Sequence, residues 1–133
     1  MIKIFGAKAK NWPIYVTFIG VEDKLLVKVD QDILNIYRDK VKLSENDGHN
    51  FLFTGIMHKN KGIDILLKAW GNHINEFPND KLYIMENPTY NMNDELKYIQ
   101  KYSTSINTSF GYKSDEKLLA YFLECDFVVL PYK

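Results

Sequence analysis

The chain has 133 residues, 46% hydrophobic and 26% charged, and its 17 basic side chains balance 17 acidic ones to a formal charge of zero. That is enough for one globular domain and too apolar for a disordered segment. A neutral total provides no bulk basic field for nucleic acid or an anionic membrane, and one cysteine excludes an internal disulfide.

Residues 1–48 read as a β-rich segment. "IKIF", "IYVTFIG" and "KLLVKV" are short β-branched or aromatic runs, separated by Gly6, Pro13, Gly20 and Asp23. "DQDILNIYRDKV" then carries Ile33, Leu34, Ile36 and Tyr37 and reads as one short helix. The polar stretch "SENDGHN" (44–50) marks the boundary with a second unit, 49–133. There "FLFT" (51–54) is a buried strand. Ile63, Leu66, Leu67, Trp70 and Ile74 recur at helical spacing from Lys61, with Asn60 placed as the cap. "NDKLYIME" supplies a second strand at 82–86. "NDELKYIQKY" is a helix with Asp94 and Glu95 in its first turn, where carboxylates suit the dipole. "INTSF" (106–110) is a third strand. "SDEKLLAYFLEC" is a helix with Ser114 as N-cap and Leu118, Leu119 and Phe122 as its apolar face. "FVVL" (127–130) is a fourth strand, stopped by Pro131.

Strands alternating with helices imply βαβ units and an α/β fold with a parallel sheet. Right-handed crossovers favour the strand order 3-2-1-4, with helices on both faces. Ligands of such sheets bind beyond the carboxyl ends of the strands, where the order reverses. That crevice lies between the strands ending at Thr54 and Leu130, lined by "GIMHKNKG" and "PYK".

Lys61-Gly62 stands where a strand hands over to a helix. A helix start, a glycine and a lysine together suit a phosphate or diphosphate. A solvated lysine beside a glycine kept for packing accounts for the same residues. His58 is placed to reach a phosphate or sugar hydroxyl, or simply to be exposed. The spacing of a Walker loop is absent, as is G-x-G-x-x-G, since only Gly55 and Gly62 flank the loop. His49 and His73 have no partners at metal-ligand spacing. Asp115 and Glu116 read as a dipole-compensating pair, Asp126 as fixing a turn, and Cys125 as a buried structural thiol. Tyrosines and tryptophans fall on apolar faces, so core packing is expected over base stacking. No run is long enough to span a membrane, and the start has no apolar core of signal-peptide length; the chain reads as cytoplasmic.

Four pieces in order, "FLFTGIMHKNKGIDILLKAW", "KLYIMENP", "INTSFGYKSDEKLLAYFLECD" and "FVVLPYK", resemble the second domain of family 4 glycosyltransferases, which have the two-domain GT-B fold. The resemblance implies a Rossmann-like half of the nucleotide-sugar-binding domain, truncated after its fourth strand, with residues 1–48 too few for an acceptor domain. It implies transfer of a sugar from a nucleotide-diphosphate donor to a hydroxyl acceptor, with retention of configuration and no metal or other cofactor. Gly55, His58, Lys61, Gly62, Glu86, Tyr112 and Pro131 are the implied donor-binding positions. Lys61 falls on the family's diphosphate lysine, and Ile56 on its arginine. Glu86-Asn87-Pro88 replaces the family's glycine-rich turn, and Tyr132 its serine. The family's acidic pair follows the point where this chain stops, so no complete catalytic set is present and no catalytic residue is named. The alternative is a catalytically incomplete nucleotide-binding or interaction module that pairs with another copy or a second chain.

Overall fold

The structure, a computed structural model, describes residues 29–42, 47–55, 57–85 and 87–133. The expected strands before residue 29, together with Ile56 and Glu86, lie outside the described residues.

In chain order the elements are α1 (Gln31–Lys42), β1 (Asn50–Thr54), a single 3-10 turn (Lys59–Lys61), α2 (Ile63–Glu76), β2 (Lys81–Met85), α3 (Asn93–Lys101), β3 (Ile106–Thr108), α4 (Asp115–Glu124) and β4 (Phe127–Val128). The four strands form one parallel sheet in the order β3-β2-β1-β4. This is the α/β architecture expected from the alternating pattern. β4 is shorter than the apolar run "FVVL": past Val128 only the N–H of Val129 continues the ladder, to the carbonyl of Leu52 at 2.8 Å.

Side-chain alternation along the strands sorts the core into two layers. Phe53, Leu82, Ile84 and Ile106 point to one face and pack with Ile63, Leu66, Leu67 and Trp70 of α2. Tyr98 and Ile99 of α3 close the same layer. Leu52, Tyr83 and Met85 point the other way, against Tyr121 and Cys125 at α4. Because β1 and β2 are buried on both faces, they are near-continuous apolar runs, as central strands of parallel sheets are.

Two helices depart from their expected form. The start of α2 is not at Lys61 with Asn60 as cap. Asn60 lies inside the 3-10 turn, and the N-cap is Gly62, at φ 72° and ψ 23°. The left-handed residue ends the 3-10 turn and restarts the chain as an α-helix in a new direction. On α4, the buried residue is Ala120, and Phe122 is exposed. The reason is α1, which lies along α4 rather than out in solvent. Val29, Leu34 and Ala120 form a small core, with Tyr37 and Leu119 against it. The N–H of Asp30 donates to Glu116 at 3.2 Å, and Arg38 pairs with Glu124 two turns further on. The two helices therefore run parallel. α1 buries Leu34 and Val41 and leaves Ile33 and Ile36 exposed. Ser114 caps α4 as expected, accepting from the N–H of Lys117 at 3.3 Å.

At the amino ends of the strands, two aspartates fasten β1 to its neighbours. Asp80 accepts the N–H of His49 at 2.7 Å, and its other oxygen lies 2.6 Å from Nε2 of His73. Asp126 accepts the N–H of Asn50 at 2.7 Å and returns its own N–H to the Asn50 carbonyl. The turn expected at Asp126 is thus a clasp between β1 and β4.

Candidate functional site

The strand order reverses between β1 and β4, so the loops leaving the carboxyl ends of those strands flank the switch point. They touch directly. Gly62 sits so close to Pro131 that a Cβ added to it would lie 1.8 Å from the Pro131 carbonyl oxygen. The N–H of Lys133 donates to the Asn60 carbonyl at 3.0 Å. The expected crevice between the two loops is therefore filled by segment 131–133 laid along residues 60–62. Gly62 has a structural duty here: only glycine tolerates both the positive φ and that approach.

Lys61 does stand at the switch point, with its Nζ 4.0 Å from the centroid of the Tyr132 ring. The start of α2 carries a carboxylate of its own. Asp64 takes its own N–H and that of Ile65, and its Oδ2 lies 2.9 Å from Nζ of Lys133. Lys133 first, by hydrogen bond and by charge, holds the Asp64 carboxyl below its ordinary range. On the neighbouring side, Lys59, Asp64, Tyr90, Glu95 and Lys133 line an open cleft of about 270 Å³. Tyr90 donates to Glu95 at 3.2 Å, and burial, then the Glu95 charge, push its phenol up to about 12. At neutral pH Tyr90 is a hydrogen-bond donor and not a base. A second cleft of about 230 Å³ between α2 and α3 shares Asp64 and Glu95. Lys59 and Lys133 thus share the first cleft with Asp64 and Glu95, next to the turn that carries Lys61.

The remaining expected positions are spread along the same end of the sheet. Gly55 ends β1 at φ 117°, with no atom within 4 Å of where a Cβ would stand. His58 turns its Nδ1 to the Thr89 hydroxyl, 2.7 Å away; that hydroxyl also lies 2.9 Å from the Met57 carbonyl. The loops after β1 and β2 are thereby tied together. Asn87 in turn accepts the N–H of Gly111, joining the loop after β2 to that after β3. Tyr112, next to it, is 94% exposed and touches none of the other site residues. The structure thus brings Lys61, Gly62 and Pro131 into contact, places Gly55 and His58 on the same loop, and leaves Tyr112 apart.

Sequence reasoning placed Lys59 and Lys133 in the lining segments without singling them out, and missed Asp64, Tyr90 and Glu95. Their only signal was position: each lies within a few residues of a strand's carboxyl end or a helix's first turn. Cys125, expected as a buried thiol, is half-buried against Leu52, Tyr83 and Met85. Burial first, then Asp126 and Glu124, push its thiol up to about 12, far from a nucleophile's range. Among the described residues, no group of three histidine, cysteine, aspartate or glutamate side chains is arranged to hold a metal ion. No helix there is long and apolar enough to cross a membrane. No protein-family model matches the chain, and no curated protein matches its sequence.

Proposed function

We propose that the carboxyl end of the sheet is the diphosphate end of a nucleotide-sugar donor site, and that the chain is a glycosyltransferase, or a part of one, acting on a hydroxyl acceptor. The observation that carries this reading is the position of Lys61. It lies at the switch point of a 3-2-1-4 parallel sheet, at the turn leading into α2, a turn that also carries Lys59. The resemblance of four ordered sequence pieces to family 4 glycosyltransferases supports it independently. In that role Lys61 neutralises charge on the departing nucleoside diphosphate, which is electrostatic stabilisation at the leaving group. His58 and Gly55 then position the donor's phosphates or sugar, with Glu86 and Tyr112 as the further donor-binding positions that the family resemblance implies. With Ile56 where the family has arginine, no bidentate clamp is available. Binding is expected in the millimolar range, about −4 kcal/mol in total.

The test is a calorimetric titration of uridine and guanosine diphosphates into wild type, Lys61→Ala and Ile56→Arg. Lys61→Ala should lose most of the binding and Ile56→Arg should gain. Identical binding by wild type and Lys61→Ala, or no binding by any of the three, removes the donor site. One observation favours the second reading, an interaction module. Among the described residues β4 is an edge strand; Val128 on it and Leu130 just beyond it are exposed, as are Phe122 and Leu123 on the adjoining α4. Exposed apolar groups along an open edge suit a partner chain. A concentration-dependent dimer in sedimentation, without nucleotide binding, selects that reading.

A further inference from the structure

Segment 131–133 is fastened at both ends and loose in the middle. Pro131 is wedged by its carbonyl against Gly62. Lys133 is held twice, by its N–H on the Asn60 carbonyl and by its Nζ on Asp64. Tyr132 between them is 55% exposed, and its ring centroid lies 4.0 Å from the ammonium of Lys61. The ring can therefore leave by rotation about its own side-chain bonds. No backbone hydrogen bond has to break, and little apolar surface is newly uncovered.

We propose that Tyr132 is a gate on the anion site. Its ring occupies the face of the Lys61 ammonium, and a phosphate or diphosphate engages that lysine only when the ring has swung aside. The proposal rests on the donor-site reading of Lys61 and adds its regulation. In the closed arrangement the ammonium is attracted by the ring's electron-rich face. A phosphate oxygen offers a full opposite charge and so wins the exchange, while a neutral hydroxyl group does not. The gate thus discriminates for charge: it keeps Lys61 covered against uncharged sugars and yields to the diphosphate. Two pinned neighbours make the swing reversible, since the ring returns to the same place when the anion leaves. The closed form reduces apparent affinity in proportion to its population.

The experiment is a titration of inorganic pyrophosphate into four proteins: wild type, Tyr132→Ala, Tyr132→Phe and Lys61→Ala. Removing the ring should tighten binding about two- to fivefold, the range of an exposed cation–ring contact. Tyr132→Phe keeps the ring and should match wild type. Lys61→Ala should bind least. Lysine ε-methylene proton NMR supplies a readout that does not depend on affinity. The Lys61 signals should be shifted upfield by the ring in wild type and Tyr132→Phe but not in Tyr132→Ala. Saturating pyrophosphate should return them to the ordinary position. If Tyr132→Ala binds no tighter than wild type while Lys61→Ala still loses binding, the gate is wrong and the donor site stands. If Lys61→Ala binds like wild type, or none of the four binds, both are wrong. Ring-shifted signals that persist at saturation also overturn the gate.

Discussion

Gly62→Ala is the sharpest test of why a glycine follows Lys61. Two costs combine at that position. An L-residue held at φ 72° and ψ 23° loses roughly 1 kcal/mol relative to glycine. The new Cβ would also stand 1.8 Å from the Pro131 carbonyl oxygen, a separation that real Cβ atoms do not adopt. Segment 131–133 must retreat by more than an ångström. That breaks the Lys133 hydrogen bond to Asn60, its pair with Asp64, and the ring over Lys61. Each is an exposed or half-exposed contact of a few tenths to 1 kcal/mol, so together they add about 1–2 kcal/mol. The full chain should lose about 2–3 kcal/mol, a fall in Tm of roughly 8–12 °C for a domain of this size. Urea and thermal unfolding followed by circular dichroism measure it. The decisive comparison is the same substitution in a chain ending at Leu130, where the clash is gone and only the backbone share, about 1 kcal/mol, should remain. Gly55→Ala, at φ 117° with open space around it, is the control for strain without collision. An equal loss in the full and shortened chains would show that Pro131 does not demand the glycine, and the packing argument would fall.

Two further outcomes follow from the geometry. Cys125, with its thiol pushed up to about 12, should carry about one thiolate in ten thousand molecules at pH 8, against about a quarter for an ordinary thiol. Alkylation by iodoacetamide in the folded chain should be slower by about three orders of magnitude than in urea, and comparable rates would contradict its burial. Asp80, 3% exposed, serves the His49 N–H and the His73 ring at once, so Asp80→Ala should destabilise by about 3 kcal/mol and Asp80→Asn by about half that. A loss under about 1 kcal/mol for the alanine variant in urea unfolding would mean that the clasp contributes little.

The strands were legible because each central strand is a short apolar run between polar breaks, and the crossover rule then leaves few orders for four of them. The start of α2 was misplaced because Asn60 is a good cap by type. The signal that overrides it is Gly62, whose left-handed conformation ends the 3-10 turn and starts α2, and whose missing side chain leaves room for Pro131, far along the chain. The docking of α1 on α4 was equally hidden. Ile33, Leu34, Ile36 and Tyr37 read alike as a helix's apolar residues, yet only the register with Ala120 shows that Leu34 is buried while Ile33 and Ile36 are exposed. His49 and His73 looked unpartnered because Asp80 joins them only once β1 and β2 start side by side. Lys61 was readable as a candidate from its place at a strand-to-helix turn. Its contact with Tyr132 was not, since residues 71 positions apart in sequence meet only after the sheet is assembled.

The parallel pairing of α1 with α4 has a kinetic consequence. Asp30 with Glu116 and Arg38 with Glu124 are both 86 residues apart, whereas β1, α2, β2, α3 and β3 close successive units between neighbours in sequence. The β1–β4 pairing spans a similar distance, Phe51 to Phe127. Contacts this remote carry the greatest loop-closure entropy and reward the chain last. A chain emerging from the ribosome can complete the β1-to-β3 layer while α4, the helix that α1 lies along, has yet to be made. Its resting place, Ala120 with the two glutamates on either side, is made only when the chain has been synthesised as far as Glu124. Until then Leu34 lacks its contact with Ala120, so the interval between the synthesis of α1 and that of α4 is one in which this apolar side chain is open to aggregation.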